Sequence, residues 1–527
     1  MGRAIVYKES LYPEKRSRLF LSDEVLDVLL NNKGTEAIQT MTVDVQTNVP
    51  LSTKVFSKMT RLRVLIILSM NVSGSLKYLS DELRLLYWRN CSLRRMPTDC
   101  RLKKLVILEM IESSIVEFQP KLQNFICLEV LCLEHCEELK RAPNFSGAHS
   151  LKKLVMWNCS NLVKISKSIG DLKNLVELDV GFCKNLRELP SSICKLKSLK
   201  VLMMEGCPKI KELPKKLGEL EQLCELIAGG TSVSHLPLSC GSLRYLRYMV
   251  LGPKANLTYS EEMFQSFSSS DDNLCPLRTL IAPYHYVQHP GLEIDSFSLL
   301  SILDLSGSNF NALPFNLCHL SVLEDLYLNN CQNLRVLPDL PPCLLFLKAR
   351  NCPLLEKLPN LSDLKLKELD LSYCSNLTEL QGLGNLKSIN SIYIRNCSAL
   401  NINSWFVNCF KAHSRGPKLS ILVSKDMVRE YLCSHKVFGS SPHNTLQPVY
   451  LEEKLRLFMW SPSWCTVGYV LKYKTTGVEL LSGSWRGDYE AADDLMQLSL
   501  SEYGYFTEPI KVEELEVSIS MVLCLME

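Results

Sequence analysis

The chain has 527 residues, of which 46% are hydrophobic and 22% charged, and its formal net charge is +3. That balance supports a continuous apolar core, excludes a disordered or collagen-like chain, and gives no overall field that would demand nucleic acid or an acidic membrane as partner. No apolar run reaches the roughly 18 residues that a membrane-spanning helix needs.

Residues 1–40 carry no repeat, and they are charged where a secretory signal would have an apolar run. The 22 cysteines of the chain are therefore expected in a reducing compartment, where buried thiols behave as small hydrophobes rather than as disulfide partners.

From about residue 41 to 403 one pattern recurs. Leu172, Leu175, Leu178, Val180, Cys183, Leu186, Leu189 and Pro190 form its clearest copy, and the same template surrounds Cys91, Cys136, Cys159, Cys207, Cys331, Cys352, Cys374 and Cys397. Ser113, Thr231 and Ser308 take the cysteine slot in other copies. Slots fall roughly 21 to 24 residues apart, the leucine-rich repeat period, giving about 14 repeats. Weaker copies place Lys254 and His285 in the slot, with a polar insertion near 258–273 between them. The expected fold is an α/β repeat solenoid: a leucine-rich repeat horseshoe with parallel β-strands on its concave face.

In each copy a short strand such as Leu178-Asp179-Val180 points its apolar residues inward and the intervening one outward. The slot residue fills the corner where the chain leaves the strand, its thiol or hydroxyl serving nearby carbonyls. Asparagine precedes the slot at Asn90, Asn158, Asn330, Asn351 and Asn396, which reads as turn chemistry rather than a ligand ladder. The Lys209–Lys216 basic patch reads as solvated convex surface.

The concave face of such an array is an extended binding surface. Its candidate protein-binding residues are Glu109, Glu112, Glu134, His135, Trp157, Phe182, Tyr327, Lys348, Arg350, Tyr373, Tyr393 and Arg395, with Asp304 and Asp370 beside them. An acidic stretch in the early repeats gives way to aromatics and then to mixed charge. Exposed aromatics and arginines are favoured at protein interfaces.

Catalytic motifs are missing from these residues: there is no phosphate loop, HExxH or GxSxG element. The spacing of Cys409, His413, Cys433, His435, His443 and Cys465 matches no compact zinc finger. The expectation is a binding protein with no cofactor and no metal. Residues 404–527 lose the repeat register and alternate strand-like runs with polar turns, as a small β-rich domain would.

Residues 1–40 also carry a resemblance. Met1, Gly2, Arg3, Ile5, Val6, Pro13, Arg16, Ser17, Arg18, Leu19, Asp27, Val28, Leu29, Gly34, Thr35 and Ile38 match a stretch that is similar to the end of the nucleotide-binding module in plant intracellular immune receptors with a TIR domain. Phe56–Leu65 and Leu83–Pro97 resemble the opening repeats of that family, and SWFVNCFKAH after residue 403 resembles the start of its post-repeat domain. The resemblance implies a winged-helix remnant at 1–40, the array at 41–403 and a post-repeat domain at 404–527. It implies a cytoplasmic or nuclear recognition region that senses a pathogen effector or a guarded host protein, or contacts other receptor domains. The TIR domain and phosphate loop of a full receptor have no counterpart here, so a truncated product or partial gene model is expected, and no catalytic residue carries over. The alternative is a leucine-rich adaptor or scaffold outside immunity; an adaptor for ubiquitin ligation would need an F-box-like module where residues 1–40 stand.

Overall fold

The computed structural model describes residues 2–400 apart from 46–50, 70–71, 97–101, 119–121, 123–124, 234–235, 253–276, 284–296, 314–316 and 387. Beyond these it describes the backbone of the strands Ser420–Val423, Leu455–Trp460, Val470–Lys474, Gly477–Leu481 and Ser520–Leu525. The slot residues Lys254 and His285 of the weak repeats, the 258–273 insertion and the six residues considered as zinc ligands lie outside the described residues. The chain forms two compact units, Met1–Ile281 and Ala282–Glu527.

The first unit opens with helices α1 (Gly2–Glu9) and α2 (Ser22–Leu30). Val25, Val28 and Leu29 recur at helical spacing, so α2 buries one face. Arg16 ties the segment together. Its guanidinium meets both carboxylate oxygens of Glu24 at 2.9 and 2.8 Å, donates to the carbonyl of Ser10 at 2.8 Å, and lies over the Tyr7 ring. A nearly buried arginine is tolerable because its donors are so well used.

The parallel ladder begins already inside this segment. Arg18–Leu19 pairs with Thr40–Val43, which pairs with Val64–Ile67. Each later repeat adds one strand, running through Leu85–Arg89, Ile107–Ile111, Val130–Cys132, Lys153–Val155, Glu177–Asp179, Val201–Met203, Glu225–Ile227, Tyr248–Val250 and Thr279–Ile281. The register never slips: Leu178 stands opposite Leu154 on one side and Leu202 on the other. Leu172, Leu175, Leu178, Val180, Cys183 and Leu186 are fully buried, and Leu189 nearly so. Each such leucine contributes about 1.5–3 kcal/mol relative to exposure, realised only because the next repeat covers it.

The second unit repeats the plan through Ile302–Asp304, Asp325–Tyr327, Phe346–Lys348, Glu368–Asp370 and Ser391–Ile394. One more parallel strand, Ser420–Val423, extends this ladder past the boundary expected at residue 403. Farther on the pairing is antiparallel: Leu455–Trp460 with Ser520–Leu525, and Val470–Lys474 with Gly477–Leu481.

Among the described residues α-helix is confined to α1 and α2. The returning segments of the repeats make short 3-10 turns such as Ser191–Lys195, started by Pro190 with φ −65°. A repeat of roughly 23 residues leaves too little chain for a full helix once strand and corner are built.

The slot cysteines are packing and hydrogen-bonding residues. Cys183 donates its thiol to the carbonyl of Met156 at 3.1 Å, and Cys136, Cys159, Cys207, Cys352, Cys374 and Cys397 each reach the equivalent carbonyl of the preceding repeat at 3.0–3.1 Å. Thr231 does not span the gap; its hydroxyl bonds Ala228 within its own repeat at 2.8 Å, and Ser113 bonds its own Ile111. The longer reach of sulfur therefore separates the two solutions. Burial pushes the Cys207 and Cys397 thiols up to about 12, so they stay protonated donors. The described cysteines are all free thiols.

Candidate recognition face

Three rows of side chains stand outward from the sheet at each repeat. The first comes from the end of the strand, whose middle leucine points into the core, and the other two follow the strand. Glu109, Tyr327, Lys348 and Tyr393 belong to the strand row. Glu134, Trp157, Arg350 and Arg395 come two residues before the slot. Glu112, His135, Phe182 and Tyr373 come immediately before it.

This last position has an unusual backbone. Asn90, Asn158, Asn330, Asn351 and Asn396 all adopt left-handed conformations there, with φ between 55° and 62°. Gly206, Gly230 and Gly307 do the same. The left-handed turn keeps the sheet hydrogen bonds running past the strand end: His135 N–H donates to the carbonyl of Trp157 at 2.8 Å and Phe182 N–H to that of Glu205 at 2.6 Å. Asparagine and glycine suit the conformation. Glu112 (φ 53°), His135 (φ 55°), Phe182 (φ 57°) and Tyr373 (φ 67°) do not, and a residue held there against its preference costs on the order of 1–3 kcal/mol.

On the first unit the rings of His135 and Trp157 meet edge-on with centroids 4.7 Å apart, and Trp157 meets Phe182 at 5.2 Å. Glycines make room for them. A Cβ on Gly181 would come within 3.0 Å of Trp157, and one on Gly206 within 2.8 Å of the Phe182 ring. The Asn158 amide nitrogen lies 2.8 Å from His135 Nδ1 and fixes the imidazole.

Carboxylates surround these rings. Glu109 sits half-buried beside Glu134, and burial raises its pKa. Asp179 is raised for the same main reason, with the Glu177 and Glu134 charges adding to it, although its Oδ1 accepts the Gly181 N–H at 2.8 Å. Lys153 is the cation among them and is paired with Glu177 at 2.7 Å. Glu112 is separate: Arg89 clasps it through both carboxylate oxygens at 2.9 and 2.8 Å and lowers its pKa.

The second unit answers its own charges. Lys348 lies 5.9 Å over the Tyr327 ring and bonds Glu368 at 2.9 Å, and Tyr327 donates its hydroxyl to Asp325 at 3.3 Å. The Arg350 guanidinium stands 5.2 Å over Tyr373. Arg395 has a buried Nε without a hydrogen-bond partner.

Sequence reasoning placed the outward residues but did not group them; it read Asp179 as outward without making it a candidate, and it passed over Glu177 and the half-exposed Met203, Ile227 and Val250 on neighbouring strands. The strand alternation was the signal that could have found them. Nothing in the spacing foretold which residues would sit left-handed against their preference.

A sequence model described as a leucine-rich repeat region matches residues 107–280. Disease resistance protein RPP2A of Arabidopsis thaliana is 35% identical over 189 residues, covering 34% of this chain and 14% of that protein. TMV resistance protein N of Nicotiana glutinosa is 27% identical over 410 residues, covering 65% of this chain and 36% of that one. The chain carries a leucine-rich repeat region similar to that of plant disease resistance proteins. It spans little more than a third of the length of either relative at most. Among solved structures, a leucine-rich repeat protein of Leptospira interrogans superposes with a TM-score of 0.57 at 21% identity, covering 79% of this chain and 98% of that one. The TLR13–ssRNA13 complex gives 0.51 at 18% identity, covering 74% and 62%. These two likenesses concern the repeat fold.

Proposed function

We propose that this chain is the recognition and regulatory region of a plant immune receptor, binding a pathogen effector or a guarded host protein through the outward face of its repeats, or contacting other domains of such a receptor. The observation that carries this reading is the row of large polar and aromatic residues held left-handed where asparagine or glycine would fit without strain. Strain maintained at exposed positions of a rigid sheet is an investment in presenting those side chains. The disease resistance relatives supply the immune context. The chain works by binding and catalyses nothing itself. Its unpaired thiols suit a reducing compartment, the cytoplasm or the nucleus.

The test uses two sets of substitutions on the full chain. One reverses charge at Glu109, Glu112 and Glu134; the other places alanine at Tyr327, Tyr373 and Tyr393. Co-precipitation of a matched effector or host protein from leaf tissue should fall with one set or both while the thermal midpoint holds within a few degrees. Unchanged capture by both sets would remove the face from its role.

A further inference from the structure

We infer that the Trp157–Phe182 step of the first unit is a seat for an arginine or lysine side chain of a basic peptide segment. This rests on the recognition reading above and names the chemistry of the partner. The contrast within the molecule carries it. In the second unit two rings of the face already hold a cation of the chain, Lys348 on Tyr327 and Arg350 on Tyr373. Among the described residues no lysine or arginine of the chain lies over Trp157 or Phe182. The same two rings are flanked by Asp179 and Glu134, and the nearby Lys153 is committed to Glu177.

A cation within about 6 Å of an aromatic face is attracted by the ring quadrupole, more so for tryptophan and for a guanidinium. At this step the ligand's charge would meet carboxylates as well as rings. Gly206 and Gly230 continue the row beyond Phe182 without side chains, and the Phe182 ring lies in the space over Gly206. Glu205 and Glu225 on the following repeats extend the negative surface, which favours a segment with several basic residues over a single amino acid.

The test is fluorescence anisotropy with the full chain and a labelled octapeptide of alternating arginine and glycine, against the same peptide with glutamine in place of arginine. The arginine peptide should bind and the glutamine peptide should not. Trp157→Ala should weaken binding at least about tenfold. Asp179→Asn keeps the oxygen that accepts the Gly181 N–H but removes the charge, so it tests the seat without disturbing the turn; it should also weaken binding several-fold. Glu188→Gln, an equal change of charge on an exposed residue of the returning segment, should leave affinity unchanged. No binding of the arginine peptide, equal binding of the two peptides, or wild-type affinity in both Trp157→Ala and Asp179→Asn would overturn the inference. If that happens while the tyrosine substitutions of the second unit still abolish partner capture, the recognition reading stands and only the cation seat falls.

Discussion

The two units share one scaffold and differ in what they place on it. Both stack short parallel strands in unbroken register, and both anchor slot cysteines to the preceding repeat. On the second unit tyrosines, lysines, arginines and carboxylates satisfy one another across neighbouring repeats. On the first, Trp157 and Phe182 are brought together beside carboxylates, and among the described residues no cation lies over these two rings. A repeat array separates stability from recognition, because the inward pattern can stay constant while outward positions vary freely. The first unit shows the cost of that freedom: strained left-handed Glu112, His135 and Phe182, and half-buried Glu109 and Asp179 whose charged forms are disfavoured by burial.

If the scaffold is common, its largest sensitivities should be equal in the two units. Leu178→Ala and Leu347→Ala each remove a fully buried leucine from the middle of a strand and should each cost about 2–5 kcal/mol in urea denaturation. Hydrogen exchange should show the loosening first in the repeats adjoining each site. A loss confined to one unit would break the equivalence.

The face should be where they part. Replacing Lys348 and Arg350 by methionine uncovers Tyr327 and Tyr373 while keeping side-chain length. The second unit should then gain affinity for the arginine octapeptide, by a few-fold, measured in a background carrying Trp157→Ala. No gain would mean that uncovered rings are insufficient without the denser carboxylates of the first unit.

Smaller effects sharpen the account of the corner. Cys183→Ser shortens the donor's reach to the Met156 carbonyl and should cost about 1 kcal/mol, read from the shift of the urea midpoint. Asp179→Asn should stabilise the chain slightly at pH 7. Burial raises the folded-state pKa of Asp179, so its contribution is fully present below the unfolded value of about 3.9 and is lost as pH rises through the folded one. The difference in thermal midpoint between Asp179→Asn and the parent chain should therefore vanish on acidification. A difference that grew at low pH would reverse the sign assigned to burial.

Much of this was legible in the residues. The leucine spacing around Cys183 implied parallel strands, buried Leu178 and a buried corner thiol, because periodicity reports which side chains leave water. Asparagine before the slot implied turn chemistry at Asn158 and Asn351, which the structure realises as a left-handed corner. Less legible was the direction of the thiol bond, which crosses to the preceding repeat for Cys183 but not for the hydroxyl of Thr231; a difference of a few tenths of an ångström in bond length decides it. The pairing of Trp157 with Phe182 was hidden because they lie in different repeats at different offsets from the slot, and only the stacking of strands brings them together. The ladder's extension to Arg18–Leu19 and Ser420–Val423 was hidden for a related reason: backbone pairing continues where the leucine pattern does not.

The central claim is that the first unit gives up stability to present a binding surface, and Phe182→Asn tests it in one sample. Asparagine suits the left-handed corner and matches the residue at the same position in neighbouring Asn158, so the substitution should raise stability by about 1 kcal/mol, seen as a higher thermal midpoint, while the affinity for the arginine octapeptide falls. A lower midpoint with unchanged affinity would contradict the account, since Phe182 would then be serving the scaffold rather than the surface.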